Sequence, residues 1–150
     1  HEKALLIYED LFTMVKGSLI RPHIAVNIYV SASGSYRGMG QFSVALNILD
    51  RAEKLIVENF GENSLPMAHL FNQKALVHMD EEKYDLALNL LKQSLEIKES
   101  ILEKTHPEVL NTRQNITQVL LKSGDREGAQ EFLDQSDIEI KNFKASKENK

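Results

Sequence analysis

One pattern of apolar residues returns every 42 residues along this chain of 150. Ala45, Ala87 and Ala129 hold that step, and so do Leu49, Leu91 and Leu133, and Ala52, Ser94 and Ser136. The fullest copy runs from Glu82 to Glu99, with Tyr84, Ala87, Leu88, Leu91 and Leu95 recurring every three or four residues. That spacing winds one apolar stripe onto a helix. A fixed period in this range is the signature of a solenoid, because no single unit can bury its own apolar face and the units must stack. The expected fold class is therefore all-α, an alpha-alpha superhelix of seven antiparallel helices.

Composition narrows the function classes. The chain has no cysteine, which removes disulfides, thiolate metal sites and cysteine nucleophiles together. A formal net charge of −4 argues against a nucleic acid or an anionic membrane held by bulk electrostatics. No apolar run approaches the roughly 20 residues that a membrane-spanning helix needs. An intracellular, cytoplasmic setting is the expectation. The chain opens at His1 in what already reads as helix, with no initiator Met, and is read as a piece of a longer protein.

Glycine, proline and polar capping residues punctuate the chain. A first helix spans 2–16 and stops at Gly17-Ser18. Pro22 suits the first turn of the next, which runs to Gly38, and Gly38-Met39-Gly40-Gln41 turns into a helix at 42–59. After Gly61-Glu62-Asn63-Ser64, Pro66 opens a helix to about Met79; Asp80-Glu81-Glu82 turns into the helix at 84–102. Thr105-His106-Pro107-Glu108 begins the sixth helix, Ser123-Gly124-Asp125 ends it, and the last runs from Arg126 to about Phe143. The result is one domain of three and a half repeats: a half repeat at 2–16, then units at 22–59, 65–102 and 107–143. The polar tail 144–150 is expected to fray.

These residues resemble the tetratricopeptide repeat family, in the long-repeat type found in kinesin light chains. The resemblance rests on His106-Pro107-Glu108-Val109, Asn115-Ile116-Thr117 and Gly124-Asp125-Arg126-Glu127-Gly128-Ala129. Phe71-Asn72-Gln73-Lys74-Ala75, Lys83-Tyr84-Asp85-Leu86-Ala87-Leu88 and Ser94-Leu95-Glu96-Ile97-Lys98-Glu99 carry it in the preceding unit. Lys74 and Arg113 stand where the family pattern is apolar, and Arg126 where it is aromatic. Long stems lying on apolar surface with the charge in water would accommodate them.

The resemblance implies a right-handed superhelix whose inner wall comes from the first helix of each pair. Carried across, the wall is Asn27, Val30, Ser31 and Gly34, then His69, Asn72, Gln73 and Leu76, then Asn111, Gln114, Asn115 and Gln118. The candidate peptide-binding residues are Asn27, Ser31, His69, Asn72, Gln73, Asn111, Gln114, Asn115 and Gln118. The pairs Asn72/Gln73 and Gln114/Asn115 place amides where helix propensity gives no reason for them. Amides donate and accept, which suits the backbone of an extended segment; a merely solvated face is the competing reading. Family members that take acidic chaperone tails use Lys, Asn and Arg at these positions. Here Val30, Gly34, Gln73, Asn111 and Asn115 offer no cation, so a neutral or mixed peptide, or a helix, is expected.

No histidine pair is separated by three or four residues, so no metal or other cofactor is expected. No nucleophile elbow, phosphate loop or dinucleotide fingerprint occurs, and no catalytic residue is expected. The leading function is a non-catalytic protein-interaction module, a fragment of an adaptor, cargo receptor or assembly factor. A regulatory or substrate-docking segment of a larger enzyme is the alternative. A third reading is a homodimer formed through unfinished ends, where Leu5, Ile7, Leu11 and Phe12, or Phe132, Ile140 and Phe143, lack a covering helix.

Overall fold

The computed structural model describes residues 2–17 and 20–150 and, of residues 2–5 and 16, the backbone alone. Ser18 and the side chain of Leu5, each part of an expectation above, lie outside that description. Seven helices follow in order: α1 (Glu2–Lys16), α2 (Pro22–Gly38), α3 (Phe42–Phe60), α4 (Leu65–Asp80), α5 (Tyr84–Ile101), α6 (Pro107–Lys122) and α7 (Arg126–Glu148). No strand occurs among the described residues. Each helix packs on its neighbour in sequence, and α2 also approaches α4, so the array is a helical repeat solenoid.

Local chemistry sets the boundaries. Pro22, Pro66 and Pro107 fall in the first turns of α2, α4 and α6, where a missing N–H costs nothing. The Ser64 hydroxyl accepts from the Met67 amide, and the Asp125 carboxylate accepts from the Gly128 amide at 2.8 Å, capping α4 and α7. Gly40, Glu82 and Gly124 hold the same place in the three turns and have φ of 72°, 60° and 88°. Glycine is free in that left-handed region, whereas Glu82 carries a Cβ that disfavours it.

The repeat register decides what is buried. Ala45 and Ala87 are 0% exposed and Ala129 is 1% exposed, so the helices of each pair meet over a small residue. Leu49 and Leu91 are 0% exposed, but Leu133 is 42% exposed. Leu133 keeps the 42-residue step of Leu49 and Leu91 and yet does not fill a space between pairs as they do. α4 covers the first pair and α6 the second, whereas Leu133 has no helix over it among the described residues. One core cluster joins Tyr29, Leu49, Ile56, Met67 and Leu70, and Phe12 of α1 stacks on Tyr29 at 4.8 Å. A second joins Ala75, Met79, Leu91, Ile116 and Val119.

Two cations lie between helices rather than in water, which corrects the expectation of long stems with free charges. The Lys74 ammonium of α4 donates to Asp50 at 2.8 Å and to Glu53 at 2.6 Å, both on α3. Burial pulls that ammonium's pKa down, yet its hydrogen bonds to the two carboxylates outweigh burial and hold it above its ordinary value. The Arg113 guanidinium of α6, 6% exposed, donates to Glu99 of α5 and, at 2.7 Å, to Glu139 of α7. Arg113 holds the Glu139 carboxyl down at about 2 from an ordinary 4.5, helped by Gln135 and, against an opposing effect of burial, by Lys104.

α7 outruns its expected end at Phe143 and stays helical to Glu148. No glycine or proline stops it there. The Lys147 ammonium lies 5.1 Å from the centre of the Phe143 ring and pairs with Glu103.

Three outcomes follow from this packing. Leu49→Ala and Leu91→Ala should each cost about 3 kcal/mol, and Leu133→Ala under about 1 kcal/mol, in denaturant unfolding; equal costs would mean that the register does not govern burial. Glu82→Gly should stabilise by about 0.5–1 kcal/mol, the relief of the left-handed penalty less the entropy of a new glycine. A loss of stability would show instead that the Glu82 side chain anchors the turn. Glu139 binds its proton more weakly in the folded chain than in the unfolded one, so its contribution is complete above pH 4.5 and disappears as pH falls toward about 2. Acid titration followed by circular dichroism should show that loss in the native chain and a smaller one in Glu139→Gln.

Candidate functional site

The wall expected from the sequence uses one register throughout. Asn27, His69 and Asn111 are equivalent, as are Ser31, Gln73 and Asn115. The first helix of each pair presents these positions, and all but Gln73 and Asn115, which are half-buried, are exposed.

Three of the nine residues meet. Asn27, His69 and Gln73 line one cleft of about 340 Å³ between α2 and α4, together with Val26, Val30 and Phe60. Val26 and Val30 stand one turn apart on α2 and give the cleft an apolar floor, while Phe60 closes it from the end of α3. Amides and an imidazole over such a floor can hold the backbone of a peptide segment while apolar side chains fill the hollow. His23, Val26 and Phe60 were not among the candidates. Phe60 is the last residue of a second helix, and no inner-wall rule reaches it.

The other six residues are placed differently. The Asn72 amide donates to the Thr112 hydroxyl at 3.4 Å, and its carbonyl oxygen is buried without a partner, so this side chain belongs to the α4–α6 junction. Gln114 and Gln118 line a separate hollow between α6 and α7. Asn115 donates to the Asn111 carbonyl oxygen at 3.5 Å, one turn back along α6. Ser31 lines neither hollow. A larger hollow of about 560 Å³ lies between α3 and α5; it is bordered by Glu53, Glu62 and Glu96 and holds none of the nine.

Behind the wall a polar cluster ties three helices together. The Lys98 ammonium of α5, 2% exposed, donates to Thr112 at 3.0 Å and lies 3.8 Å from the Glu108 carboxylate. The His69 ring nitrogen and Glu108 are 2.5 Å apart, joining α4 to α6. That bond holds the Glu108 carboxyl below its ordinary range, while burial pushes the Lys98 ammonium down and Glu108 offsets part of the effect. Glu108 therefore faces both Lys98 and His69, and His69 also lines the cleft between α2 and α4. No group of three or more histidine, aspartate or glutamate side chains placed to hold a metal ion occurs among the described residues. None of their helices is long and apolar enough to cross a membrane.

A family model of the tetratricopeptide repeat matches residues 66–136. No curated protein sequence matches the chain. Among solved structures, the putative kinesin light chain of Podosopora anserina, with nearly identical TPR-like repeats, superposes with a TM-score of 0.77 at 18% identity, over 93% of this chain and 67% of that one. A point variant of the same protein gives the same TM-score and coverage at 19% identity. BtubC (BKLC) from P. vanneervenii gives a TM-score of 0.67 at 18% identity, over 83% of this chain and 48% of that one. At these identities the structures speak for the fold, and the family model speaks for the repeat. The family model thus assigns residues 66–136 to the tetratricopeptide repeat, and the likeness in structure shows that the chain has the all-α helical-repeat solenoid fold of those TPR-like proteins.

Proposed function

We propose that this chain is a non-catalytic interaction module, acting as an adaptor or scaffold, that holds a peptide or short helix of a partner protein in the cleft between α2 and α4. Tetratricopeptide repeats mediate protein–protein interaction in general. The reading beyond that rests on one observation: Asn27, His69 and Gln73, from two different repeat units, share a cleft floored by Val26 and Val30. Their chemistry selects the ligand. Amides satisfy a peptide backbone in both directions, and the valines and Phe60 take one or two apolar side chains. No lysine or arginine lines the cleft, so the segment is neutral or mixed in charge rather than a carboxylate tail. Asn111 and Asn115 continue the same face on α6 and would extend the contact.

A photo-crosslinking residue placed at Asn27 or Gln73 tests this. Irradiation in an extract of the source cells should give discrete adducts from both positions and none from Lys92, which is exposed on α5. Labelling from Lys92 alone, or equally from all three, would place the contact outside the cleft.

A further inference from the structure

The hollow of about 560 Å³ between α3 and α5 has an apolar floor made by Val57 of α3, Phe71 of α4 and Ile97 of α5. Met67 and Phe71 of α4 line it, whereas His69 and Gln73 of the same helix line the α2/α4 cleft. Two residues make about 200° of helix, so the hollow and the cleft lie on opposite sides of α4. The walls of the hollow come from two adjoining units inside the chain. Repeat units touch only their neighbours, so further units stacked on either end would leave it open.

The next unit shows what such a space can hold. Counting forward 42 residues, Phe71 becomes Arg113, Val57 becomes Glu99, Ile97 becomes Glu139 and Glu62 becomes Lys104. There the Arg113 guanidinium donates to Glu99 and Glu139, and the Lys104 ammonium donates to Glu139 at 3.1 Å. Between α5 and α7 the chain thus fills the space itself, with two cations answered by two carboxylates. Between α3 and α5 those cationic stems are missing, and no lysine, arginine or histidine lines the hollow. Its border is acidic instead, made by Glu53, Glu62 and Glu96. Lys74 takes up Glu53 at 2.6 Å. Glu62 and Glu96 are exposed, and neither enters an ion pair among the described residues. Val57 is 42% exposed, so the floor is open to solvent.

We infer that the α3/α5 hollow is a docking site for an extended basic segment of a partner protein. An apolar side chain of that segment rests on Val57, Phe71 and Ile97, and an arginine or lysine on each side of it reaches Glu62 and Glu96. Charge complementarity selects this occupant. An acidic segment would meet two uncompensated carboxylates, and a wholly apolar one would cover them with no answering charge. The site is separate from the α2/α4 cleft and does not depend on the reading given to it.

The probe is a peptide with an arginine-leucine-arginine core flanked by glycine and serine, titrated into the isotopically labelled chain while its backbone amides are followed by NMR. Amides of residues 53–62 and 93–100 should shift. Glu62→Gln with Glu96→Gln should weaken binding about fivefold, as loss of two exposed ion pairs does. Serine in place of the peptide's leucine should weaken it by about the same factor. Val57→Lys, which gives the hollow a cation of its own, should abolish binding. Glu131→Gln with Glu148→Gln removes the same charge from exposed places on α7 and should leave affinity within about twofold. Val57, Glu62 and Glu96 are exposed, so these changes do not enter the core, and circular dichroism checks that each variant keeps its helices. No shifts at millimolar peptide, or shifts confined to the α2/α4 cleft, would overturn the inference. So would indifference to the leucine. An equal loss from both glutamate pairs would overturn it too, leaving only bulk attraction to a chain of net charge −4.

Discussion

Each helix pair in this array leaves an apolar cradle that its own residues do not close, and the first helix of the next unit closes it. Everything else in the fold depends on that coverage. Leu49 and Leu91 are 0% exposed because α4 and α6 lie over them, and burying a leucine fully is worth roughly 1.5–3 kcal/mol. The stabilisation accrues between neighbours, so each unit depends on the one that follows it. Leu133 has the same residue, helix and register but no following helix, and it stays 42% exposed. Its partial exposure follows from coverage by a neighbouring helix rather than from local sequence.

Much of this was legible in the residues alone, because backbone punctuation and period are local signals. Pro22, Pro66 and Pro107 with the turns at Gly40 and Gly124 place helix ends to within a residue or two. The 42-residue step predicts which alanines are buried. What escaped the sequence is the pairing of groups across units. Lys74 is 24 residues from Asp50 and 21 from Glu53, and Arg113 is 26 from Glu139. Nothing in the local pattern separates a charge held between helices from one in water. The same limit divided the candidate site. Asn72 and Gln73 are adjacent amides, yet a helix turns about 100° between them. One therefore meets Thr112 of the next unit, and the other faces the cleft.

The end of α7 shows a different gap. A polar tail rich in lysine reads as frayed because no apolar stripe calls for helix there. Propensity does not oppose it, however, since Lys, Ala and Glu are good helix formers and no breaker intervenes. Contacts of Lys147 with the Phe143 ring and with Glu103 then favour the helical form.

The buried charges also bear on how a repeating chain keeps its order. Identical apolar interfaces would allow one unit to lie on the wrong neighbour, since leucine against alanine is the same contact wherever it occurs. This chain breaks the equivalence with polar groups. Lys98 stands where the first unit has Ile56, and Arg113 where the two earlier units have Tyr29 and Phe71. If the third unit settled on the first instead of the second, Arg113 would meet Val57, the counterpart of Glu99, and lose one of its two carboxylates. Removing a partner from a buried charge is destabilising, because the charge stays inside the array with less to answer it. Lys98 would be left under no Thr112 or Glu108, with its ammonium still inside the array. The polar residues that depart from the apolar repeat pattern thus add little to the depth of the core, and they make the correct succession of units the one arrangement in which every buried cation is answered.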